Sequence, residues 1–112
     1  MITYFGEIKM MLMTKAIKDK IPALYSTEET KLEDKICYVK FFHPFCNWTW
    51  YACEFDPETG IFFGWVDGDF PEWGNFSLEE MKSLKVRGLG MERDYYFTAK
   101  PMKEIPDYQK RG

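Results

Sequence analysis

The sequence predicts an α+β fold: an antiparallel sheet of about four to five strands with two short helices packed on one face. Three observations carry this. Residues Cys37 to Phe55 are dense in aromatic and β-branched side chains, which suit a pleated, half-buried surface, and Pro44 and Asn47 mark a turn in their middle. Asp56-Pro-Glu-Thr-Gly60 is a second turn signal, set between two strand-like runs. Two short segments, one on each side of this region, carry helical spacing and capping residues.

Residues 1–9 read as an N-terminal extension, because organised patterning starts near Met10. Met13, Ile17 and Ile21 then recur at spacing four among lysines, with Thr14 as N-cap and Pro22 stopping the helix near Lys20. Ser26 to Asp34 is a polar loop. Ile36 to Phe42 is the first strand, with Cys37, Val39 and Phe41 on one face. Asn47 to Phe55 is the second, placing Trp48, Trp50 and Ala52 opposite Thr49, Tyr51 and Cys53. Ile61 to Val66 returns as the third strand, and Phe70 to Phe76, weakened by Pro71 and Gly74, is an edge strand. Ser77-Leu-Glu-Glu80 is a capping box for a helix that Gly88 ends, and Tyr95 to Thr98 reads as a last strand. The single domain spans 10–101, and 102–112 is a polar tail expected to fray. Helices are expected on one sheet face, with the other partly open.

With 112 residues, 46% hydrophobic and 19% aromatic, the chain has one core's worth of apolar side chains and is not disordered. No apolar run reaches the roughly 20 residues that span a bilayer. Three cysteines cannot all pair, which suits reduced thiols and a cytoplasmic location. The net charge of −3 hides a strong asymmetry. Between Phe41 and Met81 there is no Lys or Arg but eight acids, so this segment carries −8 against +5 for its flanks. Acids are common in turns and first helical turns, and the same pattern also fits a surface for a basic partner.

No metal or cofactor is expected. His43 lies near Cys37, Cys46 and Cys53, but only His43 and Cys46 are closely spaced, and zinc sites favour paired ligands. Glu92-Arg93-Asp94 could form an acid/base pair, since Glu92 and Asp94 on one strand face would stand about 6.5–7 Å apart. The same trio is commonly a structural ion pair. Trp48, Trp50, Tyr51, Trp65 and Trp73 could stack on bases, yet this stretch lacks the cations a phosphate backbone needs, so direct nucleic-acid binding is not expected.

Ile21-Pro-Ala-Leu-Tyr25, Leu32-Glu-Asp-Lys35, Asn47-Trp-Thr-Trp-Tyr51, Glu54-Phe-Asp56, Phe76-Ser-Leu78 and Glu92-Arg-Asp94 together resemble a small bacterial family known as a domain of unknown function. The resemblance covers roughly residues 10–101, and Asn47-Trp-Thr-Trp-Tyr51 is its most specific part. His43, Cys46 and residues 1–9 depart from it. It implies a compact α+β cytoplasmic protein carried on plasmids, integrative elements and phages. It assigns no activity and no catalytic residue.

The leading expectation is therefore a small non-enzymatic binding protein. Trp48, Trp50, Trp65, Asp67, Asp69, Glu72 and Trp73 would form an acidic aromatic sheet surface for a basic protein surface, such as a nuclease or other nucleic-acid-binding protein. In a mobile-element setting this would be inhibition of a host defence protein, of the anti-CRISPR or anti-restriction type. The alternatives are a small hydrolase or nuclease using Glu92 and Asp94, and a single-stranded RNA-binding sheet rimmed by Lys40, Lys82, Lys85 and Arg87.

Overall fold

The computed structural model describes residues 11–112, so the extension at 1–9 lies outside the described residues. The elements are α1 (Lys15–Lys20), β1 (Ile36–Cys37), β2 (Val39–Phe42), β3 (Thr49–Asp56), β4 (Ile61–Asp67), β5 (Glu72–Ser77), α2 (Leu78–Ser83), β6 (Lys85–Val86), β7 (Leu89–Gly90), β8 (Glu92–Arg93), β9 (Lys100–Pro101) and α3 (Pro106–Arg111). One-turn 3₁₀ helices cover Leu32–Asp34 and Met102–Glu104. Five strands form an antiparallel sheet in the order β5-β4-β3-β2-β8, so the fold is a small α+β fold and β5 is an edge. Among the described residues no helix is long and apolar enough to cross a membrane.

The helix starts follow the sequence. Thr14 accepts the amide hydrogen bond of Ile17 at 3.2 Å, and α1 ends at Lys20 just before Pro22. The Ser77 hydroxyl accepts from the Glu80 amide at 3.3 Å and starts α2. That helix stops at Ser83 rather than near Gly88. Arg87 and Gly88 both have positive φ (55° and 81°), the backbone of a tight hairpin turn, and they fold Lys85–Gly90 into β6 and β7. Tyr95 to Thr98 is likewise not a strand, because Asp94 caps a turn there by accepting from the Tyr96 amide.

α1 and α2 pack on one sheet face, as expected. Ile17, Leu78 and Met81 join Leu12, Met13, Val39, Phe41, Ala52, Phe55 and Phe62 in one core cluster. The strand reading fails at Tyr38, where the predicted first strand divides. Cys37 pairs with Lys100 of β9 and joins the cluster on the opposite face, while Val39 and Phe41 stay on the first.

Much of the opposite face is covered. The segment expected to fray turns back across it: Met102 and Ile105 are buried against Tyr51, Cys53 and Trp65, with Tyr108 packed on the same cluster. Three apolar residues spaced by three along this polar stretch, and Pro106 at the first turn of α3, are enough to dock it.

Candidate functional site: an aromatic acidic tip and a groove over a buried ion pair

The seven residues proposed as a surface do not share one. Trp65 is buried at 1% exposure, edge-on to Tyr108 of α3 with ring centroids 5.1 Å apart. Trp73 is half-buried on that same face, 5.9 Å from the Tyr108 ring. Trp50 lies on the opposite side, partly buried against the α1/α2 core. Asp67 is buried, with Arg111 Nη1 3.2 Å from its Oδ1. Burial raises its carboxyl above the usual range, with Asp107 adding to the rise, and Arg111 only partly offsets this. Trp48, Asp69 and Glu72 remain exposed, at the end of the sheet where β3 starts and β4 ends.

That end is a built structure. Trp48 lies over the backbone of Gly68, where a Cβ would sit 2.8 Å from the indole, and its Nε1–H donates to Asp69 Oδ1 at 3.3 Å. Arg111 donates to the carbonyls of Gly68 and Asp69, so α3 braces this loop from behind. The neighbouring β2–β3 connection hangs on His43, which is buried. Its Nδ1 accepts from the Phe45 amide at 3.0 Å, so Nε2 carries the proton and donates to the Leu89 carbonyl at 2.9 Å. Both ring nitrogens are thereby used, and no lone pair is left for a metal. Among the described residues no group of three or more His, Cys, Asp or Glu side chains could hold one. Phe45 and Phe70, which the sequence reading did not single out, stand 51% and 84% exposed at this tip, and Arg87 stacks over Phe45 at 5.5 Å.

The alternative sites come out differently. Asp94 holds its own turn through Oδ1, and its Oδ2 lies 3.7 Å from Lys40 Nζ. Glu92 is half-buried in β8 opposite Phe42, and Arg93 stacks on Tyr95 at 4.8 Å. Asp94 is thus committed to structure. A base-stacking sheet needs a broad free face, whereas here α1 and α2 pack on one face and the C-terminal segment packs on the other. The intended rim is also dispersed: Lys40 sits over the Tyr51 ring, Lys82 pairs with Glu79 on α2, and Arg87 is at the tip.

A second feature escaped the sequence reading. In β3, Cys53 is an extra residue between the pairs Ala52↔Gly64 and Glu54↔Phe63. This bulge reverses the alternation, returning Phe55 to the first core and turning Glu54 the other way. Gly64 permits it, since a Cβ there would lie 1.9 Å from the Tyr51 carbonyl oxygen. Glu54 is buried with Lys35, Oε2 to Nζ 3.4 Å. The Thr27 hydroxyl donates to the same Oε2, and Lys35 also donates to the Thr27 hydroxyl at 2.6 Å and to the Thr27 carbonyl. Glu54 Oε1 accepts from the Tyr25 amide at 2.7 Å. Tyr25 is thereby held at φ +68°, a costly conformation for a tyrosine. Above this pair opens a groove of about 480 Å³, walled by Tyr25, Leu32 and Phe63. The visible signal was a charged residue inside an otherwise apolar strand, since a buried Glu requires a partner.

Comparison with the curated proteins and with the solved structures gives no match. One family profile matches residues 12–110, beyond the 10–101 of the resemblance and through α3. The chain belongs to the family described as "Protein of unknown function (DUF2958)".

Proposed function

We propose that this is a small non-enzymatic binding protein whose sheet tip docks on a basic protein surface. The observation that supports it is the placement of Trp48 on Gly68 and Asp69, with Phe70 exposed next to Asp69 in the same loop and Phe45 and Glu72 exposed at the same end of the sheet. Exposed rings next to carboxylates suit arginine, whose flat guanidinium stacks on aromatic faces while donating to carboxylates. Bracing by His43 and Arg111 lowers the ordering cost of such a contact. Trp65 and Asp67 take no direct part. Trp50 supports Trp48 from behind, ring centroids 6.1 Å apart.

Proteins that handle nucleic acids present the arginine and lysine arrays this tip would fit. The resemblance to a family carried on mobile DNA makes a host nuclease or other defence protein the natural partner, inhibited where it would hold DNA. The test is quantitative affinity capture from the native host with the wild type, Trp48→Ala, Phe70→Asp and the double variant Asp69→Lys/Glu72→Lys. The expected result is a basic nucleic-acid-binding protein retained by the wild type and lost from all three folded variants. An identical captured set from wild type and variants rejects the tip as the docking surface.

A further inference from the structure

The groove over Lys35 and Glu54 stands apart from the tip and has the make-up of a small-molecule site. Its volume of about 480 Å³ falls in the usual range for such sites, which combine apolar walls with a few fixed polar groups. Two walls are flat rings. Tyr25 is 56% exposed and its hydroxyl is held by Asn75 Nδ2 at 3.2 Å; Phe63 has Trp73 stacked on it at 5.5 Å and the Lys35 ammonium over its ring at 5.8 Å, so Tyr25 is the ring with an open face. Both are fixed before any ligand arrives.

The floor and rim narrow the chemistry. Lys35 and Glu54 in the floor and Glu28 and Lys31 on the rim balance in charge. A ligand with net charge would meet the like-signed member of a buried pair, where solvent screens little. The site therefore suits a neutral ligand. Lys35 spends its three ammonium protons on the Thr27 carbonyl, the Thr27 hydroxyl and Glu54 Oε2. Glu54 Oε1 takes one bond, from the Tyr25 amide, and keeps a lone pair. The polar capacity left over is thus acceptance, in the floor and at the Glu28 carboxylate. A flat neutral ring that bears N–H donors satisfies walls and floor together.

We propose that this groove binds an amino-substituted heteroaromatic ring of the nucleobase kind, as a free nucleoside and not as a nucleotide. The ring stacks on the exposed face of Tyr25 with Phe63 at its edge, and its exocyclic amino group donates to Glu54 Oε1. A phosphate is disfavoured by Glu28 and Glu29 on the adjoining loop.

Isothermal titration of the full chain with adenosine, cytidine, uridine and adenosine monophosphate tests this. Adenosine and cytidine are expected to bind with Kd below about 1 mM. Uridine, which lacks the amino group, and the monophosphate should bind several-fold more weakly. Tyr25→Ala should weaken adenosine by about tenfold and Phe63→Leu by about threefold, with Trp48→Ala unchanged. Two groove variants guard against one failing to fold, and the tip variant separates this site from the docking surface. No saturable binding of any nucleoside, equal affinity in the folded groove variants, or tighter binding of uridine or the monophosphate would each overturn the proposal.

Discussion

Lys35 and Glu54, nineteen residues apart in sequence, meet inside the protein at 3.4 Å, and the Thr27 hydroxyl links them. The pair ties the polar loop to the middle of the sheet. Its energetic meaning is asymmetric: a buried ion pair adds little net stability, while half of one is costly.

Glu54→Ala should therefore lower unfolding free energy by about 3–5 kcal/mol, because it leaves the Lys35 ammonium buried without its carboxylate. The double variant Lys35→Met/Glu54→Leu should recover most of that loss. Urea melts of the three proteins decide it. A double variant as unstable as Glu54→Ala would contradict the asymmetry.

The bulge at Cys53 depends on Gly64. Gly64→Ala would place a methyl 1.9 Å from the Tyr51 carbonyl oxygen, a backbone atom in mid-sheet that cannot step aside. A loss of at least about 3 kcal/mol is expected, at the upper end for overpacking. Gly74→Ala on the edge strand, where a Cβ meets open space, is the control and should be nearly neutral. Matching melts for the two variants would show that the bulge is not constrained there.

Docking of the C-terminal segment should depend on pH through Asp67, with the opposite sign to most carboxylates. Its pKa is raised by burial, so folding favours the protonated form. That contribution is full below the unfolded pKa near 3.8 and is lost as pH rises through the folded value. Asp67→Asn should then be more stable than the wild type at neutral pH, with the difference closing toward pH 3. Asp34 is the contrast: the hydrogen bond from Lys103 lowers its pKa, so its contribution is present above 3.8 and is lost as pH falls through the folded value. Asp34→Asn should cost stability at neutral pH only. Unfolding midpoints from pH 3 to 7 give both signs, and parallel curves for the two variants would contradict them.

Tyr51 donates its hydroxyl hydrogen bond to Asp107 Oδ2 at 2.6 Å, and burial together with that carboxylate raises the phenol pKa. Tyr51→Phe should cost about 1.5 kcal/mol, the lower range for a bond to a charged acceptor. It should also speed hydrogen exchange in α3 before it speeds exchange in the sheet. Unchanged exchange at residues 106–111 would mean that the bond does not hold the helix.

Local chemistry made much of this fold legible. Thr14 and Pro22 bracket α1, Ser77 starts α2, and the Asp56–Gly60 turn joins β3 to β4, all from contacts within a few residues. Two misses were local turns, at Arg87-Gly88 and at Asp94, and the others depended on distant partners. Tyr38 interrupts a strand because Cys37 pairs with β9, over sixty residues later. Met102, Ile105 and Tyr108 look too sparse for a core until Tyr51 and Trp65 are placed opposite them. The same error moved Trp65 onto the surface, since the segment that covers it had been read as a frayed tail. Glu54, a charge inside an apolar strand, does call for a partner, but the face it points to is not legible because the bulge reverses strand parity beside it.

Docking of a partner at the tip, as proposed above, can be tested in place. A photo-crosslinking phenylalanine analogue placed at Phe70, and separately at exposed Glu29 as a control, can be irradiated in native host cells. A basic nucleic-acid-binding protein joined through position 70, absent from position 29 and lost when Asp69→Lys is added, is the predicted result. Crosslinks at 29 but not at 70, or a product that survives Asp69→Lys unchanged, would contradict it.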